Sequence, residues 1–262
     1  MTPASARTVS DSGQRTGDQA DPVPGRSEDR PVCRAVCLDV DDTLVDHSAS
    51  ARSALRSMIG HDNAWPLWQQ VTDEHVARVV AGEIDSPTML WQRTREFFAC
   101  LGETLSEHEA RTREGFRESA MRNGWRLFDD ALPCLEWLDA VGVKVAVVTN
   151  ASGAYQRAKL ADLGVAAYID EVVIAGELGA AKPDPVIFHT ACARLGYPPA
   201  EVAHIGDRLD TDAIGARDAG LSGVWLNRTG PIDGALPAGI AMITSLELLP
   251  ELLVCDLDLV LT

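Results

Sequence analysis

Positive charge is scarce in this sequence. Its 262 residues hold 23 lysines and arginines against 39 aspartates and glutamates, a formal net charge of −16. Such a surface repels nucleic-acid phosphates, so no nucleic-acid polymer is expected as a partner. A small anionic substrate would need positive charge supplied locally, most simply by a metal ion and a lysine. Lysine is nearly absent: only Lys144, Lys159 and Lys182 occur. In a chain that otherwise uses arginine, a retained lysine marks a place for a compact ammonium. Lys144 opens a strand and Lys159 falls on a helix face, so both are expected at the surface, and Lys182 is the one of interest. No apolar run approaches the roughly 20 residues that span a bilayer, so no membrane partner is expected. Met1–Pro31 lacks the basic-then-apolar pattern of a signal peptide, which makes a cytoplasmic location the expectation. No Cys-x-x-Cys pair occurs among Cys33, Cys37, Cys100, Cys134, Cys192 and Cys255. Buried reduced thiols are expected rather than disulfides or zinc ligands.

What is present is ordered along the chain. Met1–Pro31 is rich in Ser, Asp, Gly, Pro, Gln and Arg with almost no large apolar residue, and is expected to be disordered. Val32–Val40 is an apolar run ending in acids, which reads as a buried strand. The stretch from Ser48 to about Arg126 reads as wholly helical, over Ala49–Ile59, Ala64–Ala81, Ser86–Leu101 and Ser106–Met121, with Ser86-Pro87 expected as an N-cap and first turn. From Leu127 strands and helices alternate. The strands are Val143–Val148, Glu171–Ala175, Val202–Ile205, Gly223–Leu226 and Ile240–Ile243. The helices are Leu132–Val141, Gly153–Leu163, Pro185–Leu195 (N-cap Asp184) and Thr211–Ala219. Such alternation predicts an α/β fold, a doubly wound parallel sheet covered on both faces, whose ligands bind beyond the carboxyl ends of the strands. The helical block becomes an inserted cap at 47–126, dividing a core of 32–46 and 127–250, with 251–262 as a terminal segment.

Four short signals fall at those strand ends. Asp39 and Asp41, two residues apart, can serve as a carboxylate nucleophile for phosphorus and as an acid/base. A solvated acidic loop is the plainer alternative for the pair by itself. Thr43 adds a hydroxyl. Thr149 and Asn150 end a strand before a helix, where hydroxyl, amide and helix N-terminus can all donate to phosphate oxygens, or merely cap the helix. Lys182 precedes Pro183-Asp184-Pro185 and could neutralise phosphate and nucleophile together. Asp207 and Asp212 follow Gly206. With Asp39 they offer the hard oxygens that magnesium takes, Asp212 either as a ligand or as an orienting group. Asp210 reads as the N-cap of the next helix. Asp256-Leu257-Asp258 also follows an apolar run, but no Thr stands two residues on. It reads as a surface segment.

Taken together, these strings resemble the haloacid dehalogenase-like hydrolase superfamily, in the branch with a helical cap inserted after the first motif. The resemblance covers about residues 32–230. It rests on Leu38-Asp39-Val40-Asp41-Asp42-Thr43-Leu44, Val147-Val148-Thr149-Asn150, Lys182-Pro183-Asp184-Pro185-Val186-Ile187-Phe188, and His204-Ile205-Gly206-Asp207 through Asp212 and on to Gly220. It implies a Rossmann-like core with Asp39 as nucleophile and Asp41 as general acid/base. It implies phosphate contacts from Thr149, Asn150 and Lys182, and Mg2+ held by Asp39, the Asp41 carbonyl and Asp207. Asp42 departs from the glycine common in the family. Because the family's dehalogenases lack the second acid of the first motif, Asp41 favours a phosphate monoester over a haloacid. The expected partner is a small phosphorylated metabolite: a nucleotide, a flavin-pathway phosphate or a sugar phosphate. A phosphomutase of the same family and a non-catalytic phosphate-binding scaffold stay open. Within the cap, Trp65, Trp68, Trp91, Phe97 and Phe98 are expected to fill its core, and Arg93 and Arg95 to be solvated.

Overall fold

The first strand of the described residues is four residues long and has no exposed face. The computed structural model describes residues 1–2, 33–151, 153–230, 232 and 234–257. The expected disordered tail lies outside them apart from residues 1–2, as does Asp258. Strand β1 (Ala35–Leu38) leads into four helices, α1 (His47–Ile59), α2 (Trp65–Val80), α3 (Ser86–Cys100) and α4 (Glu107–Asn123). Alternation then begins: α5 (Ala131–Ala140), β2 (Lys144–Thr149), α6 (Gly153–Asp162), β3 (Glu171–Ile174), α7 (Ala175–Leu178) and α8 (Pro185–Leu195). It continues through β4 (Val202–Gly206), α9 (Gly215–Asp218), β5 (Ser222–Leu226), β6 (Ile240–Ile243) and α10 (Leu249–Cys255).

The strands form one six-stranded sheet in the order β3-β2-β1-β4-β5-β6, and every pair is parallel. Leu38 is in register with Val147 on one side and Ile205 on the other. The strand period of two divides each strand between two cores. Val36, Leu38, Val145 and Val147 join the cluster that also holds Leu135, Leu138 and Leu253. Ala35, Cys37, Ala146 and Val148 face Ile187, Phe188 and Ala191 of α8. Strand order runs outward from β1 in both directions, so the β1–β4 boundary is the topological switch point, where crossovers part to opposite faces and leave a crevice.

The four helices between β1 and β2 carry a third core. Trp65, Trp68, Trp91, Phe97 and Phe98 are all buried in it, as expected, and Trp68 and Phe98 each meet Phe97 edge-on at centroid distances of 5.0 and 5.5 Å. A capping box, with Ser106 and Glu109 bonded reciprocally, starts α4.

Several expectations need correction here. The cap of α3 is Asp85 rather than Ser86, its carboxylate accepting from the Thr88 N–H at 2.7 Å. Arg95 is exposed, but Arg93 is buried instead of solvated: it meets Glu114 at 2.7 Å, and Glu114 also accepts from Arg117 at 2.6 Å. Periodicity cannot foresee a buried ion cluster, because charge alone argues for the surface. The segment Thr211–Ala219 does not form one helix: Leu209–Ile214 is a π-helical turn that continues into the short α9. Asp210 therefore caps nothing and pairs with Arg208 on the surface. Cys33, Cys37, Cys134 and Cys192 are buried, while Cys100 and Cys255 are exposed. Asp256 is exposed after α10, and Leu257 is buried in the core. No helix among the described residues is long and apolar enough to cross a membrane.

Candidate active site

Asp39 follows β1 directly, and its N–H donates to Ile205 O of β4 at 3.0 Å. That bond places its carboxylate at the switch point. Lys182 arrives from the loop before α8. Its ammonium lies 2.6 Å from Asp39 Oδ1 and 2.6 Å from Asp212 Oδ1, and it donates to Val148 O at 2.9 Å. The Lys182 backbone is clamped by Asn150, whose Oδ1 accepts from Lys182 N at 2.7 Å and whose Nδ2 donates to Lys182 O at 3.0 Å. Burial would lower the Lys182 pKa, but Asp39 and Asp212 outweigh it and raise it above the usual lysine value.

Asp212 reaches the same point because of the π-helical turn. It accepts from Lys182 and His204 on Oδ1 and from Arg208 N on Oδ2. Burial would raise its pKa, but Lys182 and His204 outweigh that and hold it well below the carboxylate range. The turn folds so tightly over β4 that a Cβ on Gly206 would sit 2.3 Å from Asp212 Cγ. Glycine at 206 is thus a condition for this arrangement. π-Helical turns recur at functional sites because they redirect a side chain without ending a helix.

One carboxylate oxygen each from Asp39, Asp207 and Asp212 lies within 4.8 Å of the others. Lys182 is the ammonium that balances them. Burial pushes Asp39 up to about 7, with Lys182 opposing and Asp212 adding. Burial pushes Asp207 up to about 8, with Asp39, Asp212 and Asp42 adding. Carboxylates raised this far are short of positive charge, and hard oxygens so spaced fit a hard divalent cation. Asp207 is further fixed through its carbonyl, which accepts from Trp225 Nε1 at 2.8 Å. The sequence reasoning did not single out Trp225.

The Asp41 carboxylate stands apart from that cluster. Lys159 Nζ donates to its Oδ1 at 2.5 Å and Gln156 Nε2 to its Oδ2 at 3.0 Å, while His47 Nδ1 lies 3.3 Å from Oδ1. Burial would raise its pKa, but the charges and hydrogen bonds of His47 and Lys159 outweigh this and hold it well below the carboxylate range. Lys159, expected at the surface, is fully buried. Its helix face turns inward onto the site, and no periodicity could separate that face from a solvated one. Lysine scarcity, applied to all three lysines equally, was the signal that could have found it.

Thr149 ends β2, buried, and its hydroxyl accepts from Gln156 Nε2 at 2.9 Å. Thr43 is fully buried, its carbonyl accepting from Arg228 at 2.8 Å and its hydroxyl without a partner among the described residues. Asp42 takes φ +60°, the left-handed region that favours glycine. Its carboxylate accepts from the N–H and hydroxyl of Ser48 at 2.8 and 2.7 Å, which compensates locally for the strain and ties the site loop to α1.

The model of the haloacid dehalogenase-like hydrolase family matches residues 33–220. The chain belongs to that family. It is 32% identical over 201 residues to the glyceraldehyde 3-phosphate phosphatase of Methanopyrus kandleri, covering 75% of this chain and 85% of that protein. It is 32% identical over 222 residues to the phosphoserine phosphatase of Thermus thermophilus, covering 77% and 84%. The fold is that of the family hydrolase YfnB from Bacillus subtilis, solved bound to magnesium, with a TM-score of 0.71, 21% identity, and 85% and 99% of the two chains covered. As a family member the protein is a hydrolase, and its named relatives place it with the enzymes of phosphoric monoesters.

Proposed function

We propose that the protein is a magnesium-dependent phosphatase that hydrolyses a small phosphate monoester through an aspartyl-phosphate on Asp39. The observation that carries this reading is the convergence of Asp39, Lys182, Asp207 and Asp212 at the switch point. Asp39 and Asp207 would hold Mg2+. Both Asp212 oxygens are already engaged by Lys182, His204 and Arg208 N, which favours the orienting role. When bound, the ion would offset the charge of nucleophile and phosphoryl group and withdraw electrons from phosphorus.

The residues then divide the work. Asp39 Oδ attacks phosphorus as the bond to the ester oxygen breaks, and Lys182 neutralises the anions brought together. The Thr149 hydroxyl accepts from Gln156, so its own proton is free to donate to a phosphoryl oxygen. Asp41 gives a proton to the departing oxygen. It then takes one from the water that attacks phosphorus, which frees Asp39 and releases inorganic phosphate. Its resting form, held by Lys159 and His47, is the base. The incoming phosphoryl charge opposes the Lys159 ammonium and lets Asp41 take up from solvent the proton that it then gives to the departing oxygen.

The substrate is proposed to be a small phosphorylated metabolite, of the scale named for the relatives. Phosphate release is to be measured over a panel of sugar, nucleotide, flavin and amino-acid monophosphates, with magnesium and with chelator. Metal-dependent release that Asp39→Asn abolishes is the expected result. Release that survives Asp39→Asn sinks the aspartyl-phosphate, and no release from any ester returns weight to a scaffold.

A further inference from the structure

Lys159 and Gln156 lie on α6, outside the residues that meet Asp39 or the carboxylate cluster. Both are fully buried, and a buried lysine without function is costly. The two sit three residues apart on one helical face. Lys159 Nζ holds Asp41 Oδ1 at 2.5 Å, and Gln156 Nε2 holds Asp41 Oδ2 at 3.0 Å. The same Gln156 nitrogen also donates to Thr149 Oγ1 at 2.9 Å. One side chain thus spans the candidate proton-transfer group and the candidate phosphate donor. Lys159 is held in turn. Its ammonium lies 5.0 Å from the Tyr155 ring centre and 5.6 Å from that of Trp125, and those rings meet edge-on at 5.0 Å. Two ring faces and one carboxylate leave the ammonium little freedom.

We propose that Gln156 and Lys159 are positioning residues for the two half-reactions: Lys159 aims the Asp41 carboxylate at the ester oxygen, and Gln156 sets Asp41 and the Thr149 hydroxyl in one geometry. The charged and titratable groups that face Asp41 are His47 from α1, Lys159 and Tyr155 from α6, and Asp39 from its own loop. His47 shares the same oxygen from the opposite element. Lys159 is the partner whose bond is short and whose side chain has no exposure.

This inference rests on the phosphatase reading, and its test separates the two. A correctly aimed acid matters most when the leaving group is poor. The probes are therefore phenyl phosphate and 4-nitrophenyl phosphate, which differ in leaving-group basicity while keeping the ring. In Lys159→Met the kcat/KM for phenyl phosphate is expected to fall about 10- to 100-fold, and that for 4-nitrophenyl phosphate less than about threefold, the scale of proton-transfer catalysis partly lost. In Gln156→Leu the same split is expected together with a raised KM, because the Thr149 hydroxyl loses its orientation. Tyr155→Leu keeps the Lys159–Asp41 bond and removes one ring face, so a smaller split is expected, and it serves as the probe where Lys159→Met does not fold. Equal losses for both esters, or no loss in variants of unchanged melting temperature, overturn the positioning role. Absence of magnesium-dependent release from the unsubstituted protein would instead overturn the phosphatase reading itself.

Discussion

A single ammonium decides how close the Asp39 and Asp212 carboxylates can stand. Lys182 has 5% of its surface exposed and bridges Asp39 and Asp212. Buried like charges at this distance repel strongly unless a cation lies between them. Lys182→Met removes the cation while leaving the stem's volume. We expect kcat to fall at least about 100-fold, as when an electrostatic partner of a developing charge is lost, together with a stability loss of about 3–5 kcal/mol for stranding a buried ion. Activity assays and urea denaturation of the variant measure the two. A variant that keeps full kcat would remove Lys182 from the chemistry. Asp39, Asp41, Lys182 and Asp207 could be singled out in the sequence because their strings fall in order, each at the end of a predicted strand. Lys159 was signalled only by the scarcity of lysine, because its contact with Asp41 depends on what the inner face of α6 packs against.

At the scale of elements, α3 and α4 are joined by a buried ion cluster rather than by apolar contacts alone. Glu114 accepts from Arg93, Arg117 and Thr94, and both guanidinium groups stack near the Trp68 ring, at 4.5 and 5.3 Å from its centre. Burial would raise Glu114, but the two arginines outweigh it and hold its pKa below the usual 4.5. A depressed carboxylate stabilises the fold at pH values above its unfolded value and loses that contribution as pH falls through the folded one. Glu114→Gln is therefore expected to destabilise the protein by about 3–5 kcal/mol at neutral pH. The gap to the unsubstituted protein should close as pH drops below about 4.5. Urea denaturation at pH 7 and pH 4 checks this, and a gap of constant size would exclude the ionic origin. The existence of these helices was legible from their periodicity and caps. The Arg93–Glu114–Arg117 cluster was not, since pairing partners 21 residues apart come together only when two helices dock.

For the whole molecule, the imbalance of carboxylates at the switch point predicts a stability that depends on metal. A cation that binds the folded state and not the unfolded one stabilises it by about 2.7 kcal/mol at a hundredfold excess over its dissociation constant. Magnesium is expected to raise the melting temperature, chelator to remove the gain, and Asp207→Asn to abolish the response without preventing folding. A melting temperature indifferent to magnesium would take the ion away from this site. The sequence by itself determined the parallel α/β architecture, the run of helices between β1 and β2 and the order of the four short signals at strand ends. These depend on local periodicity and on short strings whose backbone geometry is set by neighbours. Only the tertiary structure decided that the π-helical turn brings Asp212 over Gly206, that Asp42 spends its carboxylate on Ser48, and that Lys159 and Gln156 turn inward to Asp41. The physical reason is the same in each case: a polar side chain is surface or site according to what packs over it, and packing partners distant in sequence leave no periodic trace.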